Sequence, residues 1–332
     1  MSMLTRVIAA SAAACTLAAF TPAALAEELV LPNEVAASHW KTGYMNQFAE
    51  LVGKRTGGEI DVKVFPSSQL YNDQDALAAL GTGAVQMVWP VAVRIETIDP
   101  RLGAINLPFT LTDELMTDQC YAKGLTELMS SYIEPRNLKI LGLLRAADLF
   151  FVFANREVRK LEDVKGAKVR VIGGRVFLDT IRSLGASPVS MPASEMSSAL
   201  GQGAIDGVFT SAAGWAEMIG KTGKYAWYVP NFSLSTYAVV VDKTWFDALP
   251  QTQQEAITGS MDEIVAKQWK EVVVEDQQLI DKMTAQGLAF HTATPEEITR
   301  WEQVSEANKQ TFAAAHPDVL PAMQAIAKRC GQ

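Results

Sequence analysis

The chain is poor in the residues that most often build catalytic and metal sites. Its 332 residues include 3 histidines and 3 cysteines. The histidines, His39, His291 and His316, are far apart, and the sequence contains no H-E-x-x-H, C-x-x-C or G-x-S-x-G motif. We therefore expect a protein that is not an enzyme, with no metal site and no cofactor.

Clustered positive charge is also missing. The chain has 29 Lys and Arg against 37 Asp and Glu, for a net charge of −8, and no polybasic run. This balance argues against nucleic acids and anionic membranes as partners. An anionic solute would need local positive charge inside a cleft.

Long apolar runs are absent beyond the N-terminus. Residues 1–26 contain Arg6, an apolar stretch and the ending Ala24-Leu25-Ala26, which is typical of a cleaved secretory signal. A lipoprotein acceptor at Cys15 is the alternative, but the apolar stretch before it is short. No later segment offers about 18 uninterrupted apolar residues. We expect a mature chain that is secreted and is not inserted into the membrane.

Two cysteines follow the predicted signal, Cys120 and Cys330. In an oxidising compartment, a widely spaced pair of this kind is a disulfide candidate. Two buried free thiols are the alternative. The sequence leaves both open.

The chain contains an internal repeat. Residues 76–88 and 196–208 each carry L-G-x-G-A between a helical stretch and a β-rich run. Both lack the third glycine of a dinucleotide loop and precede a strand, so we interpret them as helix C-caps. With the strands and helices upstream, each copy has the order strand, helix, strand, helix, strand. This order predicts two similar α/β domains with mostly parallel sheets.

The last third of the chain differs in character. Between Gln251 and Gln286 there is no proline and one glycine, Gly259, and apolar residues recur at helical spacing. An unbroken helix of this length would reach about 50 Å, enough to lie across two domains. Two helices with a break near Gly259 are the alternative.

Arg170 lies between two valines in K-V-R-V, which is predicted to be a short strand. Burying a guanidinium requires an anionic partner. Because ligands of open α/β sheets lie beyond the carboxyl ends of the strands, we hypothesise that this partner is a solute carboxylate. The alternative is an internal salt bridge, for example to Glu195 or Asp206.

Five motifs in one order carry a family resemblance. They are H-W-x7-F-A-E-L-V-x3-T-G-G-E-I-D-V-K-V-F-P-S-S-Q-L (39–70), L-P-F (107–109), L-E-D-V-K-G-A-K-V-R-V (161–171), L-G-A-S-P-V-S-M-P-A-S-E-M-S-S-A-L-G-Q-G-A-I-D-G (184–207) and V-D-K-T-W-F-D-A-L-P-x3-Q (241–254). Together they cover nearly the whole mature chain. The chain resembles the periplasmic solute-binding proteins of tripartite ATP-independent periplasmic (TRAP) transporters.

The resemblance implies a fold of the type II periplasmic binding protein kind. Two similar α/β domains would enclose a ligand cleft and be joined by crossing strands and a long bridging helix. The predicted domains are residues 27–146 with 237–275, and residues 147–236 with 276–332. Hinges are expected near 145–150 and 232–240, where the chain crosses between the domains.

The resemblance also implies a location, the periplasm of a Gram-negative bacterium, and a function. Members capture a small organic acid by hinge closure and deliver it to the subunits of a membrane permease that an ion gradient drives. The arginine matching Arg170 pairs with the solute carboxylate in the family. The same fold could instead serve a signalling receptor, and a secreted enzyme is the remaining alternative.

Other family positions differ here. Thr210 occupies a position where asparagine is common, and Leu149 and Phe150 lie where acidic-sugar binders carry a second arginine. Ala193 replaces a common aromatic residue. The solute is therefore expected to be a monocarboxylate with an apolar or aromatic part, or a C4-dicarboxylate. The candidate ligand-binding residues are Arg170, Trp89, Asn33, Trp40, Phe150, Thr210 and Asn231.

Overall fold

The computed structural model describes residues 26–332. The predicted signal, with the Cys15 alternative, lies outside these residues except for Ala26. Among the helices in 26–332, none combines the length and the apolar character that crossing a membrane would require.

Eleven strands and ten α-helices are found along this part of the chain. The strands are β1 (Glu27–Pro32), β2 (Ile60–Phe65), β3 (Met87–Val88), β4 (Leu138–Asp148), β5 (Phe150–Phe153), β6 (Lys168–Val171), β7 (Ser187–Ser190), β8 (Gly207–Thr210), β9 (Tyr225–Tyr228), β10 (Leu234–Asp242) and β11 (Ala289–Thr292). The helices are α1 (Trp40–Arg55), α2 (Asp73–Ala79), α3 (Asp113–Thr117), α4 (Gln119–Ile133), α5 (Arg175–Ser183), α6 (Met196–Gly201), α7 (Lys243–Ala248), α8 (Gln251–Ala285), α9 (Pro295–Ala315) and α10 (Val319–Arg329).

The predicted repeat is present in the structure. The order β1-α1-β2-α2-β3 in the first domain recurs as β6-α5-β7-α6-β8 in the second. The opening strands pair in parallel in both copies, β1 with β2 and β6 with β7. The two L-G-x-G-A runs lie at the ends of α2 and α6, and Gly81, Gly83 and Gly203 there have positive φ angles. The helix C-cap interpretation is confirmed.

Two long strands connect the domains. β4 and β10 pair antiparallel, and the backbone N–H of Leu149 donates to the carbonyl of Ser233 at 2.9 Å where the chain leaves them. The register skips Ala146, so one extra residue bulges from β4 at the junction. Beyond the junction, β5 enters a six-stranded sheet of order β11-β9-β5-β8-β6-β7.

The long helix predicted from Gln251 is unbroken. α8 runs for 35 residues, or about 52 Å at 1.5 Å per residue. It packs on α1 and β4 of the first domain and reaches β11 of the second. Trp269 of α8 donates its indole N–H to the Leu143 carbonyl at 2.8 Å, which fixes the helix against β4.

One of the two C-terminal helices does not follow the predicted domain boundaries. α9 packs on α5 of the second domain, as expected. α10, however, packs on α4, and its buried face of Val319, Met323 and Ile326 joins the core of the first domain. A disulfide joins Cys330 to Cys120 in α4. The prediction that residues 276–332 all belong to the second domain is wrong for α10, because its apolar face is buried against α4.

Candidate functional site

A cavity of about 170 Å³ lies between the two domains. Known sites for drug-sized molecules measure roughly 300–1,000 Å³, so this cavity fits a small solute. Its walls come from the ends of β1, β4, β6, β8 and β10 and the segments that follow or precede them. The lining residues are Glu34, Val35, His39, Trp40, Val91, Ala146, Ala147, Leu149, Arg170, Ile172, Phe177, Ala193, Met196, Phe209, Thr210, Ser211, Ala213, Gly214, Glu217, Met218, Ser235 and Tyr237.

Arg170 supplies the positive charge of this cavity. In β6, Val169 and Val171 face the core of the second domain, so alternation directs Arg170 to the other face of the sheet. Its Nε donates to the Met191 carbonyl at 3.0 Å, and its Nη2 is buried with no acceptor in residues 26–332. No carboxylate within that range lies within 4.0 Å of the guanidinium.

The guanidinium remains charged although it is 3 % exposed. Burial lowers the pKa of Arg170 to about 10, and the charge of Arg94 adds to this effect. A buried cation with an unsatisfied donor is costly unless an anion binds it. The planar fork can take both oxygens of a carboxylate.

Thr210 and Ser211 continue the second-domain wall at the carboxyl end of β8. The Ser211 hydroxyl accepts from the Gly214 N–H at 3.0 Å, at the start of a π-helical segment, Gly214–Ile219. A Cβ at Gly214 would lie 2.1 Å from the Thr210 Oγ1. Glycine is required there because this segment lies so close to the cavity wall.

The first-domain wall opposite carries His39, Trp40 and Tyr237. His39 is the N-cap of α1, and its Nδ1 accepts from the Lys41 N–H at 3.1 Å, so the other ring nitrogen, Nε2, carries the proton. Burial and the charge of Lys41 lower the pKa of His39 to about 4. Burial raises the pKa of Tyr237. Both side chains are therefore neutral hydrogen-bonding groups at neutral pH.

Charged residues lie behind that wall. The Nζ of Lys41 lies 3.8 Å from the Oδ1 of Asp73 and 4.4 Å from the centre of the Tyr237 ring. Burial lowers the pKa of Lys41 and raises that of Asp73 to about 6. Glu34, which does face the cavity, accepts from the Asp73 N–H at 3.2 Å. Lys41 and Asp73 of the first domain therefore pack directly behind this wall.

Three of the seven ligand-binding candidates from the sequence line the cavity: Arg170, Trp40 and Thr210. Asn33 does not. It is buried beside the cavity, where its side chain donates to the Thr42 hydroxyl at 2.7 Å and holds the loop between β1 and α1.

The other three candidates lie elsewhere. Trp89 is in the first-domain core, against Phe48. Phe150 packs on Trp215 behind the second sheet, because its neighbour Leu149 is the residue that faces the cavity. Asn231 is in an exposed turn before β10, with a φ of 61°.

Four further residues that line the cavity were not among the candidates from the sequence: Glu34, His39, Glu217 and Tyr237. Glu34 and His39 lie between the end of β1 and the start of α1, where the carboxyl-end rule could have located them. Tyr237 and Glu217 carried no comparable signal. Their place in the cavity depends on how β10 and the π-helical segment pack.

A larger groove of about 1,270 Å³ lies beside α5 and α9. Its arginines, Arg175 and Arg182, both pair with Asp179, and their side chains are exposed. This groove lacks the buried, unpaired cation that distinguishes the interdomain cavity.

Comparison with known proteins gives a consistent result. The family model for bacterial extracellular solute-binding proteins, family 7, matches residues 32–315. The C4-dicarboxylate-binding periplasmic protein DctP of Rhodobacter capsulatus is 30% identical over 311 residues, covering 91% of this chain and 92% of the relative. The 2,3-diketo-L-gulonate-binding periplasmic protein YiaO of Escherichia coli is 24% identical and covers 83% and 84%.

Solved structures share the fold. A TRAP periplasmic solute-binding protein from Shewanella oneidensis with bound succinate has a TM-score of 0.77 at 26% identity, covering 91% of this chain and 99% of that one. The sugar acid binding protein of Advenella mimigardefordensis in complex with galactonate has a TM-score of 0.81 at 20% identity, covering 92% and 99%.

Proposed function

The chain belongs to family 7 of the bacterial extracellular solute-binding proteins, the solute-binding proteins of TRAP transporters, and we propose that its own solute is a small monocarboxylate held by Arg170. The observation that carries this proposal is the buried Arg170 guanidinium, which faces an interdomain cavity and has no acid of residues 26–332 as a partner. A carboxylate would satisfy both its charge and its open donors.

The shape and lining of the cavity support an apolar body for the solute. Apolar side chains from both domains, among them Leu149, Ile172 and Phe209, surround the guanidinium. The volume of about 170 Å³ limits the solute to a few carbon atoms or a single small ring. A C4-dicarboxylate, the solute named for the Rhodobacter capsulatus relative, is the alternative to be tested beside it.

Capture would proceed by closure of the two domains. We propose hinges at residues 145–150 and 232–240, where β4 and β10 end and the chain passes into the second domain. A solute that contacts both walls binds the closed form better and shifts the population toward it. The loaded protein would then deliver the solute, in the periplasm, to the membrane permease of a TRAP transporter.

Thermal shift and calorimetry with small carboxylates, each paired with its carboxamide, test this function. A ligand that prefers the native state stabilises it by mass action, so we expect carboxylates to raise Tm and their amides to have little effect. Chemical analysis of the same mixtures should show the acid unchanged. Equal stabilisation by acids and amides, or turnover of the acid, would contradict the proposal.

A further inference from the structure

The cavity holds negative as well as positive charge. Besides Arg170, its lining includes two carboxylates, Glu34 from the first domain and Glu217 from the second. His39 is neutral because burial and Lys41 lower its pKa. Among the lining residues, Arg170 is therefore the only fixed cation, and two acids share the space with it.

Glu34 is held firmly in its position. Its Oε2 accepts the Asp73 N–H at 3.2 Å and lies 3.8 Å from the Nη2 of Arg94. Arg94 is not part of the lining, although its charge acts on Arg170 more strongly than that of Glu34 does. A solute that touches the first-domain wall can therefore contact the Glu34 carboxylate directly, whereas Arg94 acts on it only from outside the lining.

Glu34 and Arg170 lie within electrostatic reach of each other. Burial lowers the pKa of Arg170 most, the charge of Arg94 lowers it further, and the charge of Glu34 raises it in part. The cavity is enclosed by residues of both domains, and charges in such surroundings are screened less than on an open surface. An anionic group placed near Glu34 would be repelled.

We propose that Glu34 selects monocarboxylates over dicarboxylates. Arg170 neutralises one carboxylate of the solute, and a second carboxylate at its far end would lie against Glu34 on the opposite wall. A neutral far end, or one that donates a hydrogen bond to Glu34, meets no such repulsion. This inference rests on the proposed function, since it assigns the solute class of the same cavity.

Glu217 offers a matched comparison. It lies on the exposed side of the Gly214–Ile219 segment, at the rim of the cavity, where water and ions screen its charge. We therefore expect Glu217 to discriminate between the same solutes much less than Glu34 does.

The experiment compares diacids with their half-amides, which have the same skeleton and one charge fewer. Malonate and malonamate, succinate and succinamate, and glutarate and glutaramate are titrated into the mature chain by calorimetry. We expect the half-amide of the best-fitting pair to bind at least about tenfold more tightly than its diacid.

In Glu34→Gln, whose amide oxygen can still accept from the Asp73 N–H, this preference should fall to within about threefold. Glu217→Gln should change the wild-type preference much less than Glu34→Gln does, and unchanged Tm values in both variants would confirm that the fold is intact.

Several outcomes would overturn the inference while leaving the proposed function in place. These are a wild-type preference for the diacid, an unchanged preference in Glu34→Gln, or binding of other carboxylates but none of the six compounds. If no carboxylate of any kind stabilises the chain, the proposed function itself fails.

Discussion

Arg145 and Arg170 are both buried near the junction of the two domains, yet their charges are satisfied in opposite ways. Arg145, in β4, is bound by three carboxylates, with contacts of 2.6 Å to Asp113, 2.5 Å to Asp276 and 2.6 Å to Asp148. Burial alone would lower the pKa of Arg145, but the hydrogen bonds and charges of the three acids outweigh it and raise the pKa. Within residues 26–332, Arg170 has a single backbone carbonyl as acceptor.

The difference separates a structural arginine from the arginine that we propose binds the solute. The acids around Arg145 come from α3, the end of β4 and α8, so one guanidinium ties three elements together beside the proposed hinge. The side chain of Gln268 strengthens this junction, since it accepts from the Arg145 N–H at 2.8 Å and donates to the Arg145 carbonyl at 2.6 Å. Burial of an arginine is thus no sign of ligand binding by itself, because the partners of the guanidinium decide its role.

The largest effect that tests this comparison is on stability. Arg145→Met leaves three buried or half-buried carboxylates without their cation, and we expect the free energy of unfolding to fall by about 3–5 kcal/mol. Urea unfolding of the two proteins measures the loss.

Arg170→Met is the matched control, because it removes a buried arginine that has no carboxylate partner within residues 26–332. Its free energy of unfolding should stay within about 1 kcal/mol of wild type. Equal losses in both variants would remove the distinction between the two arginines.

The next effect concerns solute binding. Arg170→Ala should weaken binding of a carboxylate by about 2–5 kcal/mol, because the buried anion loses its partner. Arg170→Lys keeps the charge but loses the fork, so binding should fall markedly and by less than in the alanine variant. Calorimetry measures both affinities. Unchanged affinity in the two variants would show that another group holds the carboxylate.

Much of the fold could be predicted because its signals are local. The repeated L-G-x-G-A runs and the helical spacing after Gln251 depend on residues close in sequence, and both predictions were confirmed. The position of Arg170 at the interdomain cavity agrees with one topological rule applied to a short strand, whereas its role in binding stays a prediction.

The errors arose where long-range packing decides. Whether an aromatic residue at a strand end faces a core or a cavity depends on the register of the sheet, which is why Trp89 and Phe150 lie outside the cavity. The side on which α10 docks, and the acids that converge on Arg145 from α3 and α8, depend on contacts between residues distant in sequence. A single sequence contains no direct signal for such contacts.

Glu96 is a third buried charge, intermediate between the two arginines, because it is partly satisfied and spans the domains. From the 3₁₀ segment Ala92–Thr97 of the first domain, its Oε2 accepts from the N–H of Arg175, at the start of α5 in the second domain, at 2.9 Å. Its Oε1 accepts from the Asn106 side chain at 3.0 Å. Burial raises the pKa of Glu96 to about 7, and these hydrogen bonds offset only part of that effect.

The smallest predicted effect is a pH dependence that follows from this carboxyl. Its pKa in the folded protein is above the ordinary value of 4.5, so the folded state binds the proton more tightly. The resulting stability is fully present below about pH 4.5 and is lost as the pH rises through 7. The upper limit of the loss is about 3 kcal/mol, and because parting of the domains would expose the carboxyl to water, we expect about 1 kcal/mol between pH 5.5 and 8.

In Glu96→Gln this part of the pH dependence should disappear, whereas His316→Gln, which changes a second titratable group in the groove beside α5, should retain it. Parallel curves for wild type and Glu96→Gln would mean that the carboxyl at this contact does not titrate with folding.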